Sequence, residues 1–257
     1  MLTSLPEPST ALVIGASRGI GLALAERLLD SSKIDQVVVA ARTAASADSL
    51  GRLQQQYAER LLRLTMDVTD QPSVADAAAI LKKSGARPRL IINVAGLLHD
   101  QSLGVRPEKR LEDIDAGSME RVFRVNTIGS ALCLRYFLPL VPRDGRSIFA
   151  VLSARVGSIT DNRLGGWYAY RASKAALNQI VKTASIEARR RFPEAIIAAL
   201  HPGTTDTALS VPFQSNVPED KLFSPEFVAR QLLAVVDGLE TNDTGGFFAW
   251  DGQAIPW

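Results

Sequence analysis

The sequence predicts an α/β fold: a parallel sheet wound in both directions, with helices on both faces. Three observations predict it. Short apolar runs alternate with helix-like runs along almost the whole chain. Those short runs are apolar at successive positions, as in strands buried on both faces. A glycine-rich turn, Gly15-Ala-Ser-Arg-Gly-Ile-Gly21, joins the first short run to the first helix-like run. Strand, tight turn and helix in that order make the prediction Rossmann-type.

The elements follow in order. Residues 11–14 are uniformly apolar and predict a strand; 20–30 carry helical periodicity. The run of valines in 36–40 predicts a second strand, and 46–59 a second helix. A third strand is expected at 61–66, then a helix at 71–84 that Asp70 would cap. Strand 89–93, helix 117–138, strand 147–152, helix 168–190 and strand 196–200 continue the alternation. Arg189, Arg190 and Arg191 end the long helix, where cations complement its dipole. Helix 225–238 and strand 246–249 close the chain. No linker rich in Pro, Gly or Ser interrupts it, so residues 1–257 are expected to form one domain. Right-handed crossovers would bring all the strand C-terminal ends to one edge of the sheet.

Composition excludes several functions. The net charge of +2 is too small to argue for nucleic acid, and no basic strip is interleaved with aromatics. No window approaches a membrane span, and the first residues lack the basic and apolar regions of a secretory signal. A cytoplasmic location is therefore expected. Cys133 is the only cysteine and lies in an apolar stretch, a buried thiol. The two histidines, His99 and His201, have no metal-ligand spacing, so no catalytic metal is expected.

The turn after the first strand has the chemistry of a dinucleotide site. Gly15 permits the sharp exit from the strand, and Gly19 and Gly21 let the backbone approach a pyrophosphate. Ser17, Arg18 and Ile20 fill the same loop. The second strand ends Ala40-Ala41-Arg42, without the carboxylate that would bind the ribose hydroxyls of NAD. Arg18 and Arg42 instead suit the extra 2'-phosphate of NADP. Asp67, followed by Val68, is placed to accept from an adenine amine. Asn93 would brace the turn after the fourth strand, where small Ala95 and permissive Gly96 let a flat ring pass. Pro202 and Gly203 redirect the chain after the sixth strand, and Thr205 or Thr207 could reach a carboxamide or phosphate. The loop 208–224, with Pro212, Asn216 and Pro218, is the expected substrate lid.

Tyr170 and Lys174 supply the reactive pair. Their spacing of four puts phenol and ammonium on one helical face. The ammonium is expected to lower the tyrosine pKa, so that the phenol passes a proton to or from a carbonyl oxygen. Asn126 is a polar amide within an apolar helical stretch, there either to bind backbone or to hold an ordered water.

Together these residues resemble the short-chain dehydrogenase/reductase family. The resemblance rests on the glycine loop, Asp67, Asn93-Val-Ala-Gly96, Asn126, Tyr170 with Lys174, and Pro202-Gly203, and covers nearly the whole chain. The stretches Gly157-Ser-Ile and Gly165 to Asn178, with the ending Trp250 to Trp257, are similar to the carbonyl-reductase branch that includes C-factor and sniffer. That likeness implies an NADPH-dependent reductase of a small ketone or aldehyde, existing as a monomer or homodimer. It implies that Tyr170 donates the proton, that Lys174 holds the nicotinamide ribose, and that Asn126 holds a water for proton resupply. The chain departs from the family at Val94 and, more seriously, at Ala154, where a catalytic serine is usual. Ser153 is the nearest surviving serine and Ser158 the next. A strand that continues extended would turn Ser153 away. The missing hydroxyl leaves an alternative expectation, a dinucleotide-binding regulatory or signalling protein with little turnover.

Overall fold

The computed structural model describes residues 2–218 and 221–257. Its elements are β1 (Ser9–Ile14), α1 (Gly19–Leu29), β2 (Ile34–Ala41), α2 (Asp48–Tyr57), β3 (Leu61–Thr65), α3 (Gln71–Lys83), β4 (Pro88–Asn93) and α4 (Ala116–Phe123). There follow α5 (Ser130–Phe137), β5 (Ser147–Leu152), α6 (Tyr168–Arg191), β6 (Ala195–His201), β7 (Thr204–Thr205), β8 (Leu222–Phe223), α7 (Pro225–Gly238) and β9 (Phe247–Ala249). Seven strands form one sheet in the order β3-β2-β1-β4-β5-β6-β9, and every neighbouring pair is parallel. This is the doubly wound Rossmann-type architecture, with each of the seven expected strands in it.

Strand alternation divides the core into two layers. Ala11, Val13, Val37 and Val39 face one way and pack with Leu24 and Leu28 of α1 and Val228 and Leu232 of α7. Leu12, Ile14, Val38 and Ala40 face the other way, against Val74 of α3, Phe137 of α5 and Leu177 and Val181 of α6. Successive residues point to opposite faces, so uniform apolarity is what a sheet covered on both sides requires. Cys133 lies in the second layer, and burial pushes its thiol up to about 12. Among the described residues no helix is long and apolar enough to cross a membrane.

Two departures from the expected elements bear on function. The single helix expected at 117–138 is α4 and α5 joined through a π-helical turn at Arg124–Gly129. A π turn inside an α-helix commonly marks a functional position, and this one contains Asn126. The expected lid at 208–224 is tethered at both ends, because β7 and β8 pair in a small parallel ladder. Between them Val211–Asn216 forms a 3-10 helix. Residues 219 and 220 of the expected lid lie outside the described residues.

Candidate active site

The chain runs outward from β1 to β3, then returns to build β4, β5 and β6 on the other side of β1. Ligands bind where such an order reverses, beyond the strand C-terminal ends. A cleft of about 1090 Å³ lies there. Gly15, Ser17, Arg18, Gly19, Ile20 and Gly21 form one wall, and Ala41, Arg42, Asp67 and Val68 continue it. Ala95, Gly96 and Leu97 supply the middle, and Asp206 and Thr207 the far side.

The glycines are fixed by space. Gly15 takes φ +89°, and its N–H donates to the Ala40 carbonyl (2.7 Å). A Cβ on Gly21 would stand 2.3 Å from the Gly15 carbonyl oxygen, so only glycine lets α1 start this close to β1. Backbone N–H groups at the start of α1 therefore face the cleft, as an anionic pyrophosphate needs. Arg18 and Arg42 are exposed on the lining, and β2 ends at Ala41 with no carboxylate of its own. The lining fits a phosphorylated dinucleotide.

Several expected residues brace the cleft. Asn93 is buried; its Nδ2 donates to Ser130 Oγ (3.1 Å) and its Oδ1 accepts from the Ala95 N–H (3.1 Å). Asp67 accepts from the N–H and hydroxyl of Thr69 (both 2.8 Å), which shapes the turn, while Asp70 caps α3 through the Ser73 N–H (3.1 Å). Thr207 faces the cleft against Gly19. Thr205 does not: its hydroxyl is buried in the β7–β8 ladder, without a hydrogen-bond partner among the described residues. Pro202 and Gly203 are not among the lining residues; Gly203, at φ +75°, packs against Phe223 and Trp250.

The reactive pair sits deeper. Lys174 is buried, its Nζ donates to the Leu152 carbonyl (2.8 Å), and it stands 5.7 Å from the centre of the Tyr170 ring. Leu152 and Gly96 both line the cleft, and a Cβ on Gly96 would come within 3.8 Å of Lys174 Nζ. Gly157 makes room on the other side, since a Cβ there would lie 2.7 Å from Lys174 Cβ. Burial pushes the lysine down to about 7. Burial also raises the Tyr170 phenol above its usual range, which corrects the expectation that Lys174 would lower it. Loss of hydration is the cause.

Asn126 is fully buried with its amide committed. Oδ1 accepts from the Leu97 N–H (2.7 Å), and Nδ2 donates to the Leu97 carbonyl (2.8 Å) and Ser173 Oγ (3.0 Å). Its amide makes the expected backbone binding, and both its donor hydrogens are taken, so a water held at this side chain would have to donate to Oδ1. The bond to Ser173 ties the π turn to α6, and Ser173 Oγ donates in turn to the Tyr170 carbonyl in the same helix (2.8 Å).

Ser153 faces away from the cleft. Its hydroxyl donates to Asn178 Oδ1 (2.6 Å), because the backbone stays extended through Ala154 and alternation turns Ser153 towards α6. Ser158 is buried and accepts from the Asp161 N–H (3.1 Å). Among the described residues no group of three His, Cys, Asp or Glu is placed to hold a metal ion. Burial pushes His201 down to about 4, with Arg155 adding to the effect.

The sequence reading missed other lining and support residues. His99 Nε2 donates to the Ala208 carbonyl (3.0 Å), joining the loop after β4 to the segment after β7 across the cleft. The Arg171 guanidinium donates to the carbonyls of Gly165 and Gly166 and holds the loop before α6. An arginine beside the reactive tyrosine and two glycines five and six residues upstream were the available signals.

Residues 9–218 match the family model described as short chain dehydrogenase. The chain belongs to the short-chain dehydrogenase family. It is 36% identical over 148 residues to the C-signal of Myxococcus xanthus, covering 57% of this chain and 83% of that one. It is 29% identical to 1-hydroxy-2-glutathionyl-2-methyl-3-butene dehydrogenase of Rhodococcus sp. (strain AD45), over 97% of this chain and all of that protein. Among solved structures, the NADPH-bound carbonyl reductase from chicken fatty liver superposes with a TM-score of 0.84 at 26% identity, over 98% of this chain and all of that one. This short-chain dehydrogenase is thus an oxidoreductase that resembles the carbonyl-reductase branch.

Proposed function

We propose that the chain reduces a ketone or aldehyde to an alcohol with NADPH, Tyr170 giving the proton. The observation that carries this reading is the half-buried Tyr170 phenol with the buried Lys174 ammonium over its ring, next to a cleft suited to a dinucleotide. A phenol raised by burial keeps its proton through neutral pH, which suits donation to a carbonyl oxygen as that oxygen gains charge. Bound NADPH would supply the hydride. The start of α1 would hold its pyrophosphate, Arg18 and Arg42 its 2'-phosphate, Asp67 and Val68 its adenine, and Thr207 and Lys174 its nicotinamide half.

The other residues position. Asn126 fixes Leu97 against α6, and Ser153 fixes the end of β5 through Asn178. No serine hydroxyl assists Tyr170 in this reading, since Ala154 has none and Ser153 and Ser158 are engaged elsewhere. That same observation favours a second reading, a dinucleotide-binding signalling protein with little turnover. A cytoplasmic location, a single domain and a monomeric or homodimeric state accompany the first reading, and sedimentation at micromolar concentration separates the last two.

NADPH consumption followed by absorbance against a panel of small ketones and aldehydes tests the proposal. Turnover with at least one carbonyl compound and alcohol formed in equal amount supports it. Tight NADPH binding with no turnover across the panel supports the second reading.

A further inference from the structure

We infer that Glu108 is a positioning residue that sets the start of α6 and so the presentation of Tyr170. The inference rests on the proposed role of Tyr170 in carbonyl reduction.

Glu108 is only 3% exposed, though Lys109 and Arg110 after it are exposed and the segment has no regular structure. Its Oε2 accepts from the Ala169 N–H (3.3 Å), 61 residues later in the chain. Its Oε1 is buried without a hydrogen-bond partner among the described residues. A buried carboxylate left half-partnered is costly, so its placement needs a compensating reason.

The reason lies in how α6 begins. A helix start leaves N–H groups without intrahelical partners, and a side chain at the N-cap usually takes one. Here the N-cap is Trp167, which makes no side-chain cap. Glu108 takes that place from outside the helix, its carboxyl oxygen accepting from a first-turn N–H. The next residue after the capped N–H is Tyr170.

Trp167 adds a second, independent observation. It has φ +53°, a left-handed conformation that non-glycine residues adopt only when their surroundings impose it. Its N–H donates to the Glu108 carbonyl (2.5 Å), and its carbonyl accepts from the Arg171 N–H (2.8 Å). The indole then meets the Tyr170 ring edge-on, with centres 6.4 Å apart. Glu108 thus grips the residues on both sides of Tyr168, through backbone at 167 and side chain at 169. Ala169 itself packs against Val105 and Val122, which fixes the turn from beneath. Glu108 touches no reacting atom and acts through this turn.

Two measurements test it. In hydrogen exchange on the whole chain, Glu108→Ala should speed exchange of amides 168–172 by about tenfold or more while amides 176–188 stay protected. In steady-state reduction, Glu108→Ala should lower kcat by about tenfold with the NADPH Kd within about twofold of wild type. Glu108→Gln keeps an acceptor for the Ala169 N–H and should recover most of that kcat. In a Tyr170→Phe background, Glu108→Ala should cost nothing further, because the two act as a unit. Unchanged exchange at 168–172, or an equal fall in kcat with and without the Tyr170 hydroxyl, overturns the inference. Lack of carbonyl reduction by wild type sinks the functional reading instead, and exchange alone then decides whether Glu108 fixes this turn.

Discussion

The two halves of the cleft are built differently. The half around β1, β2 and α1 recognises with backbone and exposed charge: Gly15, Gly19 and Gly21 give close approach, and Arg18 and Arg42 stand on the rim. The half around β5, α6 and the π turn is a polar network that links buried Asn126, Ser173, Lys174 and Leu152 with half-buried Tyr170. The first half fails when volume is added. The second fails when a polar group is removed, because each buried partner is then left unmatched.

Adding volume to the first half should give the largest contrast. Gly21→Ala puts a Cβ into the Gly15 carbonyl, and α1 must shift. NADPH affinity should fall by about 100-fold, or about 3 kcal/mol, in calorimetry. Binding within threefold of wild type would show that the close start of α1 is not what holds the nucleotide.

The second half should show its burial through pH. Lys174 loses its proton at about 7 in the fold, whereas its ordinary value is 10.5. Between those values the unfolded chain binds more protons, so this group makes the fold more stable as pH rises through that window. Its positive charge is lost over the same range. Hence kcat/KM for NADPH, which reports the free enzyme, should fall as pH rises past about 7, by up to about tenfold per unit. Lys174→Met should flatten that limb at a lower level. A wild-type profile level from pH 6 to 9 would break the account of the buried ammonium.

Removing charge from the rim should have a smaller, selective effect. Arg18→Ala with Arg42→Ala should bring an NADPH preference of about tenfold, worth about 1.4 kcal/mol, close to unity. NADH affinity should barely move. A preference that survives the double change would move recognition of the 2'-phosphate to other residues.

This contrast also explains what was legible in the sequence. The nucleotide half comes from contiguous segments, so its spacing and the absent acid at Ala41 could be read directly. The parallel sheet was legible for the same reason, since uniform apolarity over short runs is local. The half around α6 and the π turn was legible only as separate residues. Its bonds join Asn126 to Leu97 and Ser173, and Ser153 to Asn178, across 25 to 47 positions. The π turn left no pattern distinct from helix, and burial reversed the expected direction at Tyr170. Glu108 looked like one charge among many, because its burial depends on a segment 61 residues away.

Ser153 gives the smallest expected effect. Ser153→Ala removes one bond to Asn178, so stability should fall by about 1 kcal/mol with turnover within about threefold. A loss near 100-fold in kcat, measured on well-folded protein, would return Ser153 to the chemistry.

The central claim is that Tyr170 supplies the proton from within the buried half while the nucleotide half binds on its own. Tyr170→Phe measures it most directly, with NADPH affinity and carbonyl reduction determined on the same preparation. The account predicts NADPH binding within a few-fold of wild type and reduction lowered by at least about 100-fold. Reduction retained near the wild-type rate, with a substrate that wild type turns over, would contradict it.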